Sequence, residues 1–382
     1  MRHGLSERRL LAEDLTVLGH GGRAYQDEES FPIRLSSWAM PLLEPIPLTV
    51  VAGGAEMPSL LPQLLGLRRD LALIAPDWLP IAAGTATETL AGLGALDRHV
   101  AVVPDVGERS PGCPCCRLRL DLVDAVAALV RRRSRPSHII VAVPDLPADP
   151  AASSVTAVVH TVLSDPDLRR WVRLDGVVAT LDAVPVVTRL RTGAVVVDST
   201  GAERLAIADR VLVARADQVV GPSLLELRDL VGQLNRIAPV LAPAVERVSA
   251  GQLVSIDAWH GAPQVRLDAT TRSGGGPVAG VIGAPDLVVI EQQGILDPGG
   301  VEEWLDQVLS QHAPRLVRLQ GALAVDGSSS RVCCHGVGSY AMSHPEHEHP
   351  DGRRSGISVV MLIGHGLPAD ELAAGLRATA VR

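Results

Sequence analysis

Three thiols fall within four residues in Gly112-Cys113-Pro114-Cys115-Cys116. Cysteine sulfur is a soft donor, and a cluster this dense suits zinc or another thiophilic cation. The apolar spacing that follows predicts a helix from near Leu118, whose positive end would lie beside the sulfurs, and Arg117 and Arg119 add charge. Both effects favour thiolate over thiol. A tetrahedral site still needs a fourth ligand from elsewhere in the chain, from water or from a partner. The plain alternative is a turn built of small residues.

Two further stretches carry donor atoms. Ser343 to Asp351 reads as a loop in which His344, His347 and His349 alternate with Glu346 and Glu348, a pattern that can chelate zinc or nickel loosely or simply face water. Cys333-Cys334-His335 reads as strand, where adjacent side chains point to opposite faces, so buried structural thiols are expected there. No Gly-x-Ser-x-Gly elbow occurs, which removes the signature of a serine hydrolase.

The elements that must position these groups alternate in type. Leu48 to Ala52 is a short apolar run, followed by Gly53-Gly54 and a helical pattern from Ser59 to Leu67, the opening of a βαβ unit. Further strand-like runs are expected at Leu71 to Ile74, His99 to Val103, Ile139 to Val143, Gly176 to Leu181 and Arg210 to Val213. Helical stretches at Leu118 to Arg133, Ser153 to Leu163 and Ser223 to Ile237 fall between them. Continuous apolar strands alternating with helices indicate a parallel sheet covered on both faces. Beyond the glycine-rich stretch Ser273 to Pro277, strands at Leu287 to Glu291, Leu316 to Val325, Arg331 to His335 and Ile357 to Ile363 mix with helices at Gly300 to Leu309 and Pro368 to Leu376. That order predicts a smaller α+β domain with a mostly antiparallel sheet.

Composition narrows the class. The 382 residues are 47% hydrophobic with only eight aromatics, so Val, Leu and Ala must fill the core. The net charge of -8 offers no general attraction to nucleic acid or to an anionic membrane. No apolar run approaches the roughly 18 residues of a membrane span, and Met1-Arg2-His3-Gly4 opens no signal-peptide core, so a cytoplasmic protein with reduced cysteines is expected. Lysine is absent, and Asn235 is the only asparagine.

Gly112 to Leu122 resembles the Gly-Cys-x-Cys-Cys-x-x-Arg-x-Asp-Leu signature of the CobW family, P-loop GTPases related to HypB and UreG that deliver zinc or cobalt. The resemblance continues through Arg173 to Ala183, Ile207 to Val213, Leu296-Asp297-Pro298 with Trp304-Leu305, and Arg353 to Gly364. It implies an α/β fold with a P-loop-NTPase-like, mostly parallel sheet and helices on both faces, plus a smaller C-terminal α+β domain. It also implies an extension over 1–45, a nucleotide-binding-fold domain over 46–245, a linker over 246–277 and a C-terminal domain over 278–382. Nucleotide contacts would fall to Gly53, Gly54, Ser59 and Asp217. Zinc would fall to Cys113, Cys115 and Cys116, assisted by His344, His347 and His349.

The departures cluster in the nucleotide elements. A P-loop needs glycine-rich backbone N–H groups, a Lys on the phosphates and a hydroxyl on magnesium. Here Met57 stands in the Lys slot and Pro58 in the hydroxyl slot, with Glu56 adding a negative charge. Ala142 replaces a family Glu, and Ala214-Arg215-Ala216-Asp217 keeps only the Asp of Asn-Lys-x-Asp. The expectation is a zinc-binding, non-hydrolysing relative for which GTP and magnesium are doubtful cofactors. The resemblance implies a protein partner or client, with zinc-linked or ribosome-associated proteins as its family context. An active GTP-dependent zinc or cobalt metallochaperone and a metal-free scaffold are the alternatives.

Overall fold

The computed structural model describes residues 17–18, 44–68, 70–76, 100–103, 114–132, 135–145, 155–242, 251, 253–260, 278–346 and 356–381. The first sheet contains β2 (Ile46–Gly53), β3 (Leu71–Pro76), β4 (Val100–Val103), β5 (His138–Pro144), β6 (Val172–Asp182), β7 (Arg210–Ala214) and β8 (Val240–Leu241). They lie in the order β4-β3-β5-β2-β6-β7-β8, and every neighbouring pair is parallel. Side chains alternate across β2 as strand geometry requires. Leu48, Val50 and Ala52 pack toward α2 (Pro114–Val130) and α3 (Val155–Ser164). Val51 packs on the opposite face toward α1 (Met57–Leu67). Burial on both faces explains why these strands read as unbroken apolar runs.

Three helices escape the sequence pattern: α4 (Pro166–Trp171), α5 (Ala183–Thr192) and α6 (Ser199–Ile207). Each starts at an aspartate whose side chain accepts backbone N–H groups, namely Asp165, Asp182 and Asp198. Such caps satisfy donors that a helix start leaves open. After α7 (Gly221–Leu234), the sole asparagine closes the chain direction. Asn235 is 2% exposed, donates to the carbonyls of Leu205, Ala206 and Ala208, and accepts from the N–H groups of Ile237 and Ala238.

The second sheet is antiparallel throughout, in the order β1-β12-β11-β10-β13-β9. Its strands are β1 (Val17–Leu18), β9 (Asp286–Gln293), β10 (Leu316–Leu323), β11 (Val332–Val337), β12 (Tyr340–Pro345) and β13 (Ile357–Gly364). One face, with Val288, Leu319 and Leu362, packs on α8 (Pro298–His312) and α9 (Ala369–Ala378) through Trp304 and Leu376. The other face places Val337, Met342, Met361 and Ile363 in the same cluster as Val158, Val159 and Val162 of α3. Helix α3 is thus shared between the two sheets. A register shift between Leu316 and Arg318 lets both Val317 and Arg318 reach across this boundary.

Residues 253–260, inside the stretch expected as linker, are packed. Leu253, Val254 and Trp259 are buried, and Asp175 accepts the N–H groups of Ile256 and Asp257. Asp175 sits at the β2–β6 register shift, where it also accepts from the Thr49 hydroxyl at 3.0 Å. No helix of the described residues is long and apolar enough to cross a membrane.

Candidate metal site and the β2–α1 turn

The turn between β2 and α1 contains only Gly54, Ala55 and Glu56. A phosphate cradle needs outward-facing amides, but here the Gly54 N–H donates to Glu56 Oε1 at 2.9 Å. The same oxygen accepts the Thr180 hydroxyl from β6. The chain's own carboxylate therefore occupies the place where the turn could receive an anion. Two unit charges about 4 Å apart repel by about 4 kcal/mol at an effective dielectric of 20, so Glu56 opposes a phosphate there.

The neighbouring slots are also redirected. Met57 is fully buried with Leu60 and Leu61, so its side chain serves the core. Ser59 is exposed, and its hydroxyl donates to the Glu56 carbonyl at 2.9 Å. Gly53 permits a close approach: a Cβ there would lie 1.8 Å from Thr180 Oγ1 and 2.8 Å from Glu56 Oε1. Thr180 cannot turn aside without breaking its bond to Glu56. Gly53→Ala should therefore destabilise the fold by about 1–3 kcal/mol in urea denaturation, with part of the loss recovered in Gly53→Ala/Thr180→Ala. A neutral Gly53→Ala would contradict this approach.

Around the turn, acidic and basic groups pair internally. Arg204 is paired with Asp145, whose N–H donates to the Gly53 carbonyl at 2.7 Å. Arg215, held in the left-handed region at φ 53°, donates through Nε to Asp182 at 2.9 Å. Asp217 is exposed in the 3₁₀ turn Ala216–Gln218. Gly54 and Glu56 line one cavity with Asp145, Asp182, Asp198 and Arg204, whereas Gly53, Ser59 and Asp217 do not. The sequence reading missed these last four lining residues. The strand-end aspartates just before helix starts were the available signal.

Helix α2 begins at Pro114, about one turn earlier than the apolar spacing suggested, so Cys115 and Cys116 occupy its first turn. Cys113, His347 and His349 lie outside the described residues, as do the side chains of Cys115 and Cys116. The expected His-rich loop is corrected at its start. Ser343 and His344 belong to strand β12, where pairing with β11 sets His344 opposite Cys333 and against the His335 ring, centroids 5.4 Å apart. Glu346 forms a fork with Arg331 at 2.8 and 2.6 Å.

Among the described residues, no group of three His, Cys, Asp or Glu side chains is arranged to hold a metal ion. Cys333 and Cys334 are buried, and burial pushes both thiols up to about 12. They remain protonated at neutral pH and are poor metal ligands in that state.

Comparison with known proteins matches both parts of the chain. Residues 95–242 fit the model of the CobW/HypB/UreG nucleotide-binding domain, and residues 286–380 fit that of the cobalamin synthesis protein CobW C-terminal domain. The first match begins beyond the β2–α1 turn. The zinc chaperone CobW of a Sinorhizobium species is 24% identical over 364 residues, covering 88% of this chain and 97% of its own. The zinc chaperone YjiA of Escherichia coli K12 is 25% identical over 273 residues, covering 70% and 80%. The crystal structure of Zn(II)-bound YjiA GTPase from E. coli shares the fold, with a TM-score of 0.61 at 18% identity, covering 89% of this chain and all of that one.

Proposed function

This chain belongs to the CobW family, and we propose that it carries Zn(II) as cargo on Cys113, Cys115 and Cys116 and acts on a protein client without turning over GTP. The observation that carries the reading is the position of Cys115 and Cys116 in the first turn of α2. Unpaired N–H groups and the helix dipole stabilise thiolate at such a position, and thiolate is the form that binds zinc. The curated relatives named zinc chaperones support zinc as the cargo. Three thiolates leave one tetrahedral position open, which suits an ion that must be handed on. His344, His347 and His349 are a second set of donors that would assist capture or release.

The absence of turnover is supported by the filled turn. Phosphoryl transfer depends on positioning and on neutralising charge. In this turn Glu56 adds negative charge, Met57 is committed to the core and lysine is absent from the chain. The surroundings would be cytoplasmic, where the thiols stay reduced.

Metal analysis of the purified full chain, with zinc titration against a chromogenic chelator, tests the proposal. We expect a saturable zinc site with proton release on binding, weakened at least about a hundredfold in Cys115→Ala. Protein that is metal-free and indifferent to added zinc would overturn the zinc assignment. Magnesium-dependent GTP hydrolysis above background would overturn the other half.

A further inference from the structure

The former nucleotide cleft is still a cavity, of about 360 Å³, at the carboxyl ends of β2, β5 and β6. Strand order reverses at β2, which is flanked by β5 and β6, and ligands of open α/β sheets bind outside the carboxyl ends of strands at such a switch point. The volume lies within the usual range for small-molecule pockets.

Its wall keeps polar groups uncommitted. Arg204 lines the cavity at 6% exposure and pairs with Asp145 through Nη1, and its guanidinium has no other hydrogen bond to a described residue. The guanidinium therefore has donor capacity left over for a ligand oxygen at the cavity wall. Facing it are acceptors in the opposite condition. Glu56 commits Oε1 to Gly54 and Thr180, and Asp198 commits Oδ1 to the Gly201 N–H. Asp145 commits Oδ2 to Arg204. The second oxygen of each carboxylate has no hydrogen bond to another described residue.

Glu56 Oε2 and the Arg204-bound Asp145 Oδ2 both border Gly54, lying 3.2 and 3.6 Å from where a Cβ on it would sit. Arg215 neutralises Asp182, which leaves three carboxylates against Arg189 and Arg204. Burial pushes the Asp145 carboxyl up in spite of Arg204, and the charges of Glu56 and Asp198 add to the rise. The wall therefore asks for one anionic oxygen group, several N–H donors and a net positive charge.

We propose that this cavity binds a free basic α-amino acid, its carboxylate on Arg204 and Arg189 and its cationic groups on Glu56, Asp145 and Asp198. A nucleotide is a poor occupant because Glu56 already sits in the phosphate turn. This assignment involves none of the cysteines and does not depend on zinc.

The test is thermal melting and calorimetric titration of the full chain with L-arginine and L-lysine. L-glutamate, putrescine and GTP with magnesium serve as comparators. The basic amino acids are expected to raise Tm saturably by at least about 2 °C, with L-glutamate and GTP giving no shift and putrescine less. Arg189→Gln, on the exposed side of α5, should weaken binding about tenfold, and so should Arg204→Lys, which keeps the cation beside Asp145 but loses the guanidinium fork. Zinc content should be unchanged in both variants. The assignment is overturned if no saturable shift occurs, if putrescine matches the basic amino acids, if GTP binds in their place, or if both variants bind L-arginine as the wild type does. Loss of zinc binding with this binding intact would count against the zinc reading alone.

Discussion

Arg318→Ala is expected to cost about 3–5 kcal/mol of folding stability, because it strands a buried carboxylate. Arg318 is 0% exposed. It donates to the Ile207 carbonyl and to Asp209 at 2.5 Å each and to Gln320 at 2.9 Å, and its guanidinium lies 5.1 Å from the Trp259 ring. Asp209 is 7% exposed and would keep only neutral donors, the Val177 N–H and the Trp259 indole N–H. Lysine cannot replace the fork, since its three donors share one nitrogen whereas guanidinium spreads its donors over Nη1 and Nη2 to reach three separate acceptors. Arg318→Lys should therefore lose about 1–3 kcal/mol. Urea denaturation at neutral pH measures both. A loss below about 1 kcal/mol in Arg318→Ala would mean that the pair contributes little to joining the two sheets.

The second large effect is a loss of stability in mild acid. His138 is 1% exposed, 2.8 Å from Thr49 Oγ1 and 3.8 Å from Asp175. Burial lowers its pKa from 6.5 to about 4, against the opposing pull of Asp175. The unfolded chain thus binds a proton near pH 6.5 that the folded chain refuses until about pH 4. This contribution is complete above pH 6.5 and is lost as pH falls from 6.5 toward 4. Its full size is about 3 kcal/mol at 1.36 kcal/mol per pH unit. His160 and His260 are lowered by burial too and act in the same direction. His138→Gln isolates one share: its stability should fall less steeply through this window, by about one proton's slope. Parallel profiles for wild type and variant would rule His138 out as the source.

Long apolar strands such as Ile139 to Val143 were legible because both of their faces are covered. The absent lysine, with Met57, Pro58 and Ala142 in the resembled nucleotide elements, likewise drew attention to the turn after β2. What the residues alone did not reveal was where Glu56 points. Its carboxylate turns back on the Gly54 amide because Thr180, 124 positions away, supplies a second donor there. The short helices were missed for a related reason. In α5 only Ala183, Val186 and Val187 are buried, too few to impose a clear period, and the capping Asp182 and Asp198 carry the signal instead. Strand β12 was hidden because His344 and Ser343 look like loop residues, and only pairing with Cys333 and Cys334 makes them strand.

Helix α3, wedged between two sheets, shares one apolar cluster with both, so the described parts of the chain have a packed core at their centre rather than a seam about which to swing. Hinge closure, a common way of broadcasting a ligand's arrival, works across thin polar boundaries, and the centre of this boundary is hydrocarbon clasped by Arg318. On the zinc reading proposed above, news of a captured ion would then travel locally, from the start of α2, rather than by hinge motion. A client would then recognise loaded protein by the surface around the cysteines, and the overall outline of the molecule would stay the same with its cargo on or off.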